Sequence, residues 1–237
     1  MIKNIIISLT SLFLISCSSE SIEAQVIHNI NAIEFNKLIK SDEGIILDVR
    51  TVGELNKGHI EDATNIDFYA SDFTSKLNLI RKDVPIYVYC RSGGRSSKTT
   101  QKMQELGFDK VYNLLGGFGE WKLNNFKVVI TEGQILKKQK LTSTSEFSEI
   151  IQSNDIVLVD FSTQWCVPCK KMKPIIEEIK KENTDLKVVF VDADINKELV
   201  KKYKVRGVPV FIVYRDGIEV FRHVGMIDKL ELLNKIK

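Results

Sequence analysis

Twice along this 237-residue chain, short apolar runs alternate with amphipathic stretches, and that alternation constrains the fold more than any other feature. In the first stretch, about residues 26–127, Ile45-Ile46-Leu47 and Ile86-Tyr87-Val88-Tyr89 read as short buried strands. Ile33, Leu38 and Ile39, then Met103 and Leu106, mark the amphipathic helices around them. In the second, about 141–237, the strands are Ile156–Phe161, Val188–Val191 and Val210–Tyr214, with a helix after Cys169. Strands joined by helical crossovers imply a parallel sheet with helices on both faces, so each half is expected to be a three-layer α/β/α domain. At about 100 residues, each is large enough to bury its own core. Residues 128–140 hold Glu132-Gly133 and Lys137-Lys138-Gln139-Lys140 and read as a linker. The halves share no motif, so the chain is not an internal duplication.

The N-terminus carries a different signal. Lys3 precedes an apolar run from Ile5 to Ile15, broken only by Ser8, Thr10 and Ser11. A spanning helix needs about 20 apolar residues, so this run suits the core of an export signal instead. It ends in Leu14-Ile15-Ser16-Cys17 followed by the polar Ser18-Ser19-Glu20-Ser21. That arrangement resembles a bacterial lipoprotein signal over residues 1–16, in which cleavage leaves Cys17 as the lipid-bearing first residue. Residues 17–25 would then be a lipidated tether, with the mature chain held on the periplasmic side of a bacterial membrane. The alternative is an ordinary cleaved signal with an incidental cysteine. Basic and acidic residues nearly balance, 34 against 31, without a basic block, so no electrostatic footprint for nucleic acid exists. Four cysteines are too few for a disulfide-stapled scaffold.

The first chemical constellation is Cys90-Arg91-Ser92-Gly93-Gly94-Arg95-Ser96. A cysteine between a buried strand and a glycine-bearing loop that opens a helix places its sulfur among backbone N–H groups, which favour an anion. Arg91 and Arg95 add positive charge expected to lower the Cys90 pKa. With Leu47-Asp48-Val49-Arg50, Gly58-His59-Ile60, Leu115-Gly116-Gly117-Phe118 and Trp121, this loop resembles the rhodanese (sulfurtransferase) family across residues 26–127. The resemblance implies a persulfide-carrying Cys90, with Arg91, Ser92, Gly93, Gly94 and Arg95 as the anion-binding loop. It also implies a small sulfur donor, such as thiosulfate or a persulfide. Related phosphatases and arsenate reductases use a longer loop than the four residues between Cys90 and Arg95. Asp48 and Arg50 are expected to form a structural ion pair, and His59 to pack without a catalytic role.

The second constellation is Trp165-Cys166-Val167-Pro168-Cys169. Cys169, Met172, Ile176 and Ile179 fall on one helical face, with Lys170, Lys171, Lys173, Glu177 and Glu178 outward. A CxxC at a helix start brings two thiols within disulfide reach, and the helix dipole favours a Cys166 thiolate. Zinc would need two further ligands at finger-like spacing, which the three histidines His28, His59 and His223 do not supply. No metal and no cofactor is therefore expected. This segment resembles thioredoxin over about 137–237, through Asp160, the Trp-flanked CxxC, Pro174 and Val208-Pro209. The resemblance implies a mixed sheet, a redox-active Cys166–Cys169 disulfide, a cis Pro209 facing it, and a buried Asp160 that serves Cys169. Val167 and Phe190 depart from the family pattern and leave the redox potential open; the Val-Pro pair leans toward reductant.

Together the motifs suggest a sulfur carrier fused to a dithiol that discharges it. The same residues also fit a reductase for exported proteins, with protein thiols and disulfides as partners and the first domain accessory or a binding module.

Overall fold

The computed structural model describes residues 26–41, 44–130 and 141–237. The expected signal and tether, residues 1–25 with Cys17, and residues 131–140 of the expected linker lie outside the described residues.

The first domain is built on five parallel strands: β1 (Val26–Ile30), β2 (Ile45–Asp48), β3 (Thr64–Asn65), β4 (Ile86–Tyr89) and β5 (Lys110–Leu114). Their order is β1-β5-β4-β2-β3. Helices α1 (Ala32–Ser41), α2 (Val52–Leu55), α3 (Phe73–Leu77), α4 (Gly94–Glu105) and α5 (Gly117–Leu123) connect and cover them. Strand β4 lies at the centre with all four residues buried, as its unbroken apolar run requires. Helix α1 starts where Asn31 accepts the Glu34 N–H (2.9 Å), which turns Ala32 and Phe35 inward. Ile33, expected on the apolar face, is 67% exposed instead. Phe35 sets the helix phase by packing edge-on against Tyr87 and Trp121.

The domain's polar core explains the Leu47–Arg50 and Gly58–Ile60 motifs. Arg50 is buried and donates to both Asp48 carboxylate oxygens, with the closest contact at 2.6 Å, and to the Gly58 carbonyl at 2.8 Å. Its guanidinium lies 4.1 Å from the Phe118 ring centroid. The Ile60 N–H donates to the Tyr89 hydroxyl (3.1 Å). One buried cation therefore ties β2, the Gly58 loop and the Gly117 helix together. His59 is buried, with Nδ1 3.3 Å from the Leu55 carbonyl.

The second domain holds a mixed four-stranded sheet in the order β7-β6-β8-β9, from β6 (Ile156–Ser162), β7 (Leu186–Asp192), β8 (Val210–Arg215) and β9 (Ile218–Val224). Strands β6 and β7 are parallel, whereas β8 runs antiparallel to both β6 and β9. Helices α6 (Thr144–Gln152), α7 (Val167–Glu182), α8 (Lys197–Lys202) and α9 (Lys229–Ile236) surround it. Cys169, Met172, Ile176 and Ile179 are the buried residues of α7, the face that the sequence periodicity selects.

The two domains pack against each other. Trp165 touches the core clusters of both, and Leu79 of the first domain is buried in the second domain's cluster with Cys166, Cys169 and Val208. The Val208 N–H donates to the Leu79 carbonyl (2.9 Å), and the Val167 N–H to the Thr64 hydroxyl (3.2 Å). Lys171 pairs with Asp62 at 2.6 Å.

Replacing Asp48 by Ala strands a buried guanidinium, so first-domain stability should fall by about 3–5 kcal/mol. Urea unfolding of the full chain, followed by calorimetry, checks this; an unchanged first transition contradicts the brace.

Candidate functional site

Cys90 follows the last residue of the central strand, at the carboxyl end of the parallel sheet, where open α/β folds gather their ligand sites. It is 1% exposed. Its Sγ accepts the Gly93 N–H (3.1 Å), and the Ser96 hydroxyl lies 3.5 Å away. Burial raises the thiol pKa, but hydrogen bonds from the Ser96 hydroxyl and from the Ser96, Ser92 and Gly93 amides outweigh it. The net pKa is below that of an ordinary cysteine. The loop bends through Gly93, which has φ +100° and caps α4. From the other side, the Phe118 N–H donates to the Cys90 carbonyl (2.7 Å) and the Gly119 N–H to that of Arg91 (3.0 Å). A Cβ at Gly117 would sit 2.4 Å from the Cys90 carbonyl oxygen, at a φ of +60°. That contact explains the glycine at 117: the start of α5 must press directly on the cysteine loop.

Hydrogen bonds from the amides and Ser96 lead in lowering the Cys90 pKa, and Arg95 attracts the Cys90 thiolate as well, which adds to the larger effect of Glu54 in raising the Arg95 pKa in turn. Arg91 is exposed, and Arg95 is clamped by both oxygens of Glu54 at 2.7 and 2.8 Å. The Arg95 hydrogen bond holds the Glu54 carboxyl down at about 2. Glu54 also accepts the Thr51 N–H in a capping box, so the end of α2 anchors Arg95. The Thr51-x-x-Glu54 spacing shows this cap in the sequence, but nothing local links Glu54 to Arg95. Ser92 and Gly94 are exposed on the loop, and Gly93 is half-buried.

The second centre is a disulfide between Cys166 and Cys169, with Cα atoms 5.3 Å apart. Cys166 caps α7, and its Sγ accepts the Cys169 N–H (3.2 Å). The Val208–Pro209 peptide is cis, and the Val208 carbonyl oxygen lies 3.8 Å from Cys166 Sγ. Trp165 donates its indole N–H to Asp194 at 2.5 Å, a partner that sequence reasoning missed because 29 residues separate them. Asp160 lies on β6, paired in register with Phe190. It is 2% exposed, with one carboxylate oxygen lacking a partner. Desolvation pushes its pKa up to about 7, against smaller opposing effects of Ser162 and Lys173.

Residues 138–237 match the thioredoxin family, and the thioredoxin of Mycobacterium tuberculosis is 41% identical over 98 residues, 84% of its length and 41% of this chain. The chain belongs to the thioredoxin family. The Mycoplasmoides gallisepticum thioredoxin is 35% identical over 97% of its length and 41% of this chain. Residues 31–124 match the rhodanese-like domain. Among solved structures, Plasmodium falciparum thioredoxin is 36% identical, over 40% of this chain and 93% of that one, with a TM-score of 0.38. A rhodanese-related protein from Thermoplasma volcanium is 30% identical, over 44% of this chain and 99% of that one, with a TM-score of 0.40. The relatives support thiol–disulfide oxidoreductase activity for the thioredoxin domain. Sulfurtransferase-like activity for the rhodanese-like domain is supported at the level of its family.

The two centres give separable predictions. Ser96→Ala should raise the Cys90 pKa, read as the midpoint of the pH dependence of Cys90 alkylation by iodoacetamide; an unmoved midpoint contradicts the role given to the hydroxyl. For Asp160 the folded pKa of about 7 exceeds the ordinary 3.8. Its stabilising contribution is therefore complete below about pH 4 and disappears progressively as pH rises toward 7. Asp160→Asn removes that dependence. Above pH 7 the variant's thioredoxin domain should be more stable than the wild type by up to roughly 4 kcal/mol. Thermal melts of both chains from pH 4 to 9 check the sign.

Proposed function

We propose that this chain is a lipid-anchored, extracytoplasmic sulfurtransferase that carries sulfur as a persulfide on Cys90 and discharges it with the Cys166–Cys169 dithiol. The observation that carries the proposal is the Cys90 cradle, in which a buried sulfur is held below its ordinary pKa by amides and the Ser96 hydroxyl. Such a cradle favours an anionic nucleophile and an anionic persulfide alike. The anchor is Cys17 in the lipoprotein-like Leu14–Cys17 sequence; acyl chains on it would supply the two membrane signals that stable attachment needs.

With thiosulfate as donor, the Cys90 thiolate attacks the outer sulfur, the S–S bond of thiosulfate breaks, and sulfite leaves. The reduced Cys166 thiolate then attacks the outer sulfur of the persulfide, returning the Cys90 thiolate and leaving a persulfide on Cys166. Cys169, after losing its proton to Asp160, attacks Cys166 Sγ. The sulfide anion leaves and the Cys166–Cys169 disulfide forms. Two electrons pass from the dithiol to the sulfur atom, and a second protein dithiol must restore the pair for the next cycle. Covalent fusion raises the effective concentration of the dithiol at the carrier to about the millimolar range.

Cys166→Ser separates the two stages. The variant should load one sulfur on Cys90 from thiosulfate as the wild type does. Without added reductant it should release sulfide only at background. Release at the wild-type rate would overturn the coupling.

A further inference from the structure

The disulfide of the thioredoxin domain is not open to solvent: Cys166 is 3% and Cys169 4% exposed. Part of that cover comes from the other domain. Ile45, Thr64, Leu79 and Ile80 of the rhodanese-like domain line one small cavity with Cys166, Pro168 and Val208. The segment at Leu79 is attached through its backbone, because its carbonyl accepts the Val208 N–H at 2.9 Å. It is also seated closely. A Cβ at Gly207 would lie 3.1 Å from Arg81 Cα, and one at Gly225 would run into the Arg81 guanidinium. Two glycines on the thioredoxin domain thus leave room for this one residue of its neighbour.

The covered dithiol does not face Cys90. Ile45 begins β2 and pairs in register with Ile86, whereas Cys90 follows the far end of the same β4 strand. Thr64, which accepts the Val167 N–H, pairs with Leu47 at the level of Val88. Two to four residues of strand, roughly 7–13 Å at 3.3 Å per residue, therefore separate these levels from Cys90. In the docked arrangement Cys166 therefore meets the β2–β3 side of the rhodanese-like sheet, short of the end where the persulfide carrier sits.

We infer that the Leu79–Arg81 segment is an internal cap on Cys166, and that the dithiol attacks a disulfide or a persulfide only after the two domains part. This inference rests on the dithiol being the attacking pair and adds what controls it. The contact is built to be reversible. The ion pair Lys171–Asp62 across it is half-exposed on both sides and so contributes little. A cavity of about 270 Å³, lined by residues that include Ile39, Asp62, Arg81, Val167 and Met226, leaves the interface incompletely packed beside the Val167–Pro168 turn.

The test starts from the oxidised full chain and follows reduction of Cys166–Cys169 by dithiothreitol, quenching with N-ethylmaleimide and reading intact mass. Leu79 packs in the thioredoxin domain's core cluster, so Leu79→Asp disturbs the docking while leaving the rhodanese-like core intact. Reduction of this variant should be faster by about tenfold or more, the response of a site reached through local opening. Asp62→Lys, on the exposed ion pair, keeps the test alive if Leu79→Asp does not fold, and should accelerate reduction by roughly two- to threefold. Rates equal to the wild type in the folded variants would overturn the cap. That outcome leaves the sulfide-release experiment unaffected, so failure of the cap and failure of the coupling are distinguishable.

Discussion

The backbone hydrogen bond from Val208 to Leu79 joins the residue before the cis proline in one domain to the turn after α3 in the other. Around it, Trp165 bridges the two core clusters, and Leu79 completes the cluster that holds the disulfide. The placement of the redox pair relative to everything it could react with follows from this contact. While it holds, the two cysteine centres are arranged in one body but do not face one another. Under the proposed coupling, the two sulfurs meet only when the domains move.

The two centres handle charge in opposite ways. Cys90 is buried, and on its own that would keep the thiol neutral; directed amides and a serine hydroxyl reverse the balance. The cost of holding that loop is met by geometry elsewhere: a glycine that lets α5 touch the Cys90 carbonyl, and a buried Arg50 that fastens the surrounding loops. Asp160 follows the opposite logic. Burial dominates, its partners are few, and the carboxyl is raised into the range where it can accept and return a proton near neutral pH. An anionic nucleophile in one domain and a proton acceptor in the other are what sulfur transfer followed by thiol–disulfide exchange requires.

Much of the fold was legible because local pattern and tertiary environment agree. The unbroken apolar run Ile86–Tyr89 is the buried central strand, and the Cys169–Ile179 spacing selects the buried face of α7. The cis peptide at Pro209 and the buried Asp160 followed from the family resemblance. What failed was whatever depends on partners distant in sequence. That Glu54, 41 residues away, fixes the Arg95 guanidinium beside Cys90 was not legible, because nothing local links the two. Ile33 looked inward by apolarity alone, while the Asn31 cap and the Phe35 packing fix the helix in another phase. The docking of Leu79 and Arg81 carries no sequence signal, since an apolar residue and a basic one after a short helix suit any surface. Only the second domain's glycines at 207 and 225 reveal why they fit.

In the proposed coupling, electrons from the Cys166–Cys169 pair remove the sulfur carried by Cys90. Time-resolved intact mass of the reduced chain after a short anaerobic exposure to thiosulfate, with sulfide assayed in parallel, puts this to the test. One sulfur should appear on Cys90. It is then lost as one equivalent of sulfide while the chain loses the two hydrogens of the new disulfide. A sulfur that stays on Cys90 while the dithiol remains reduced would contradict the coupling.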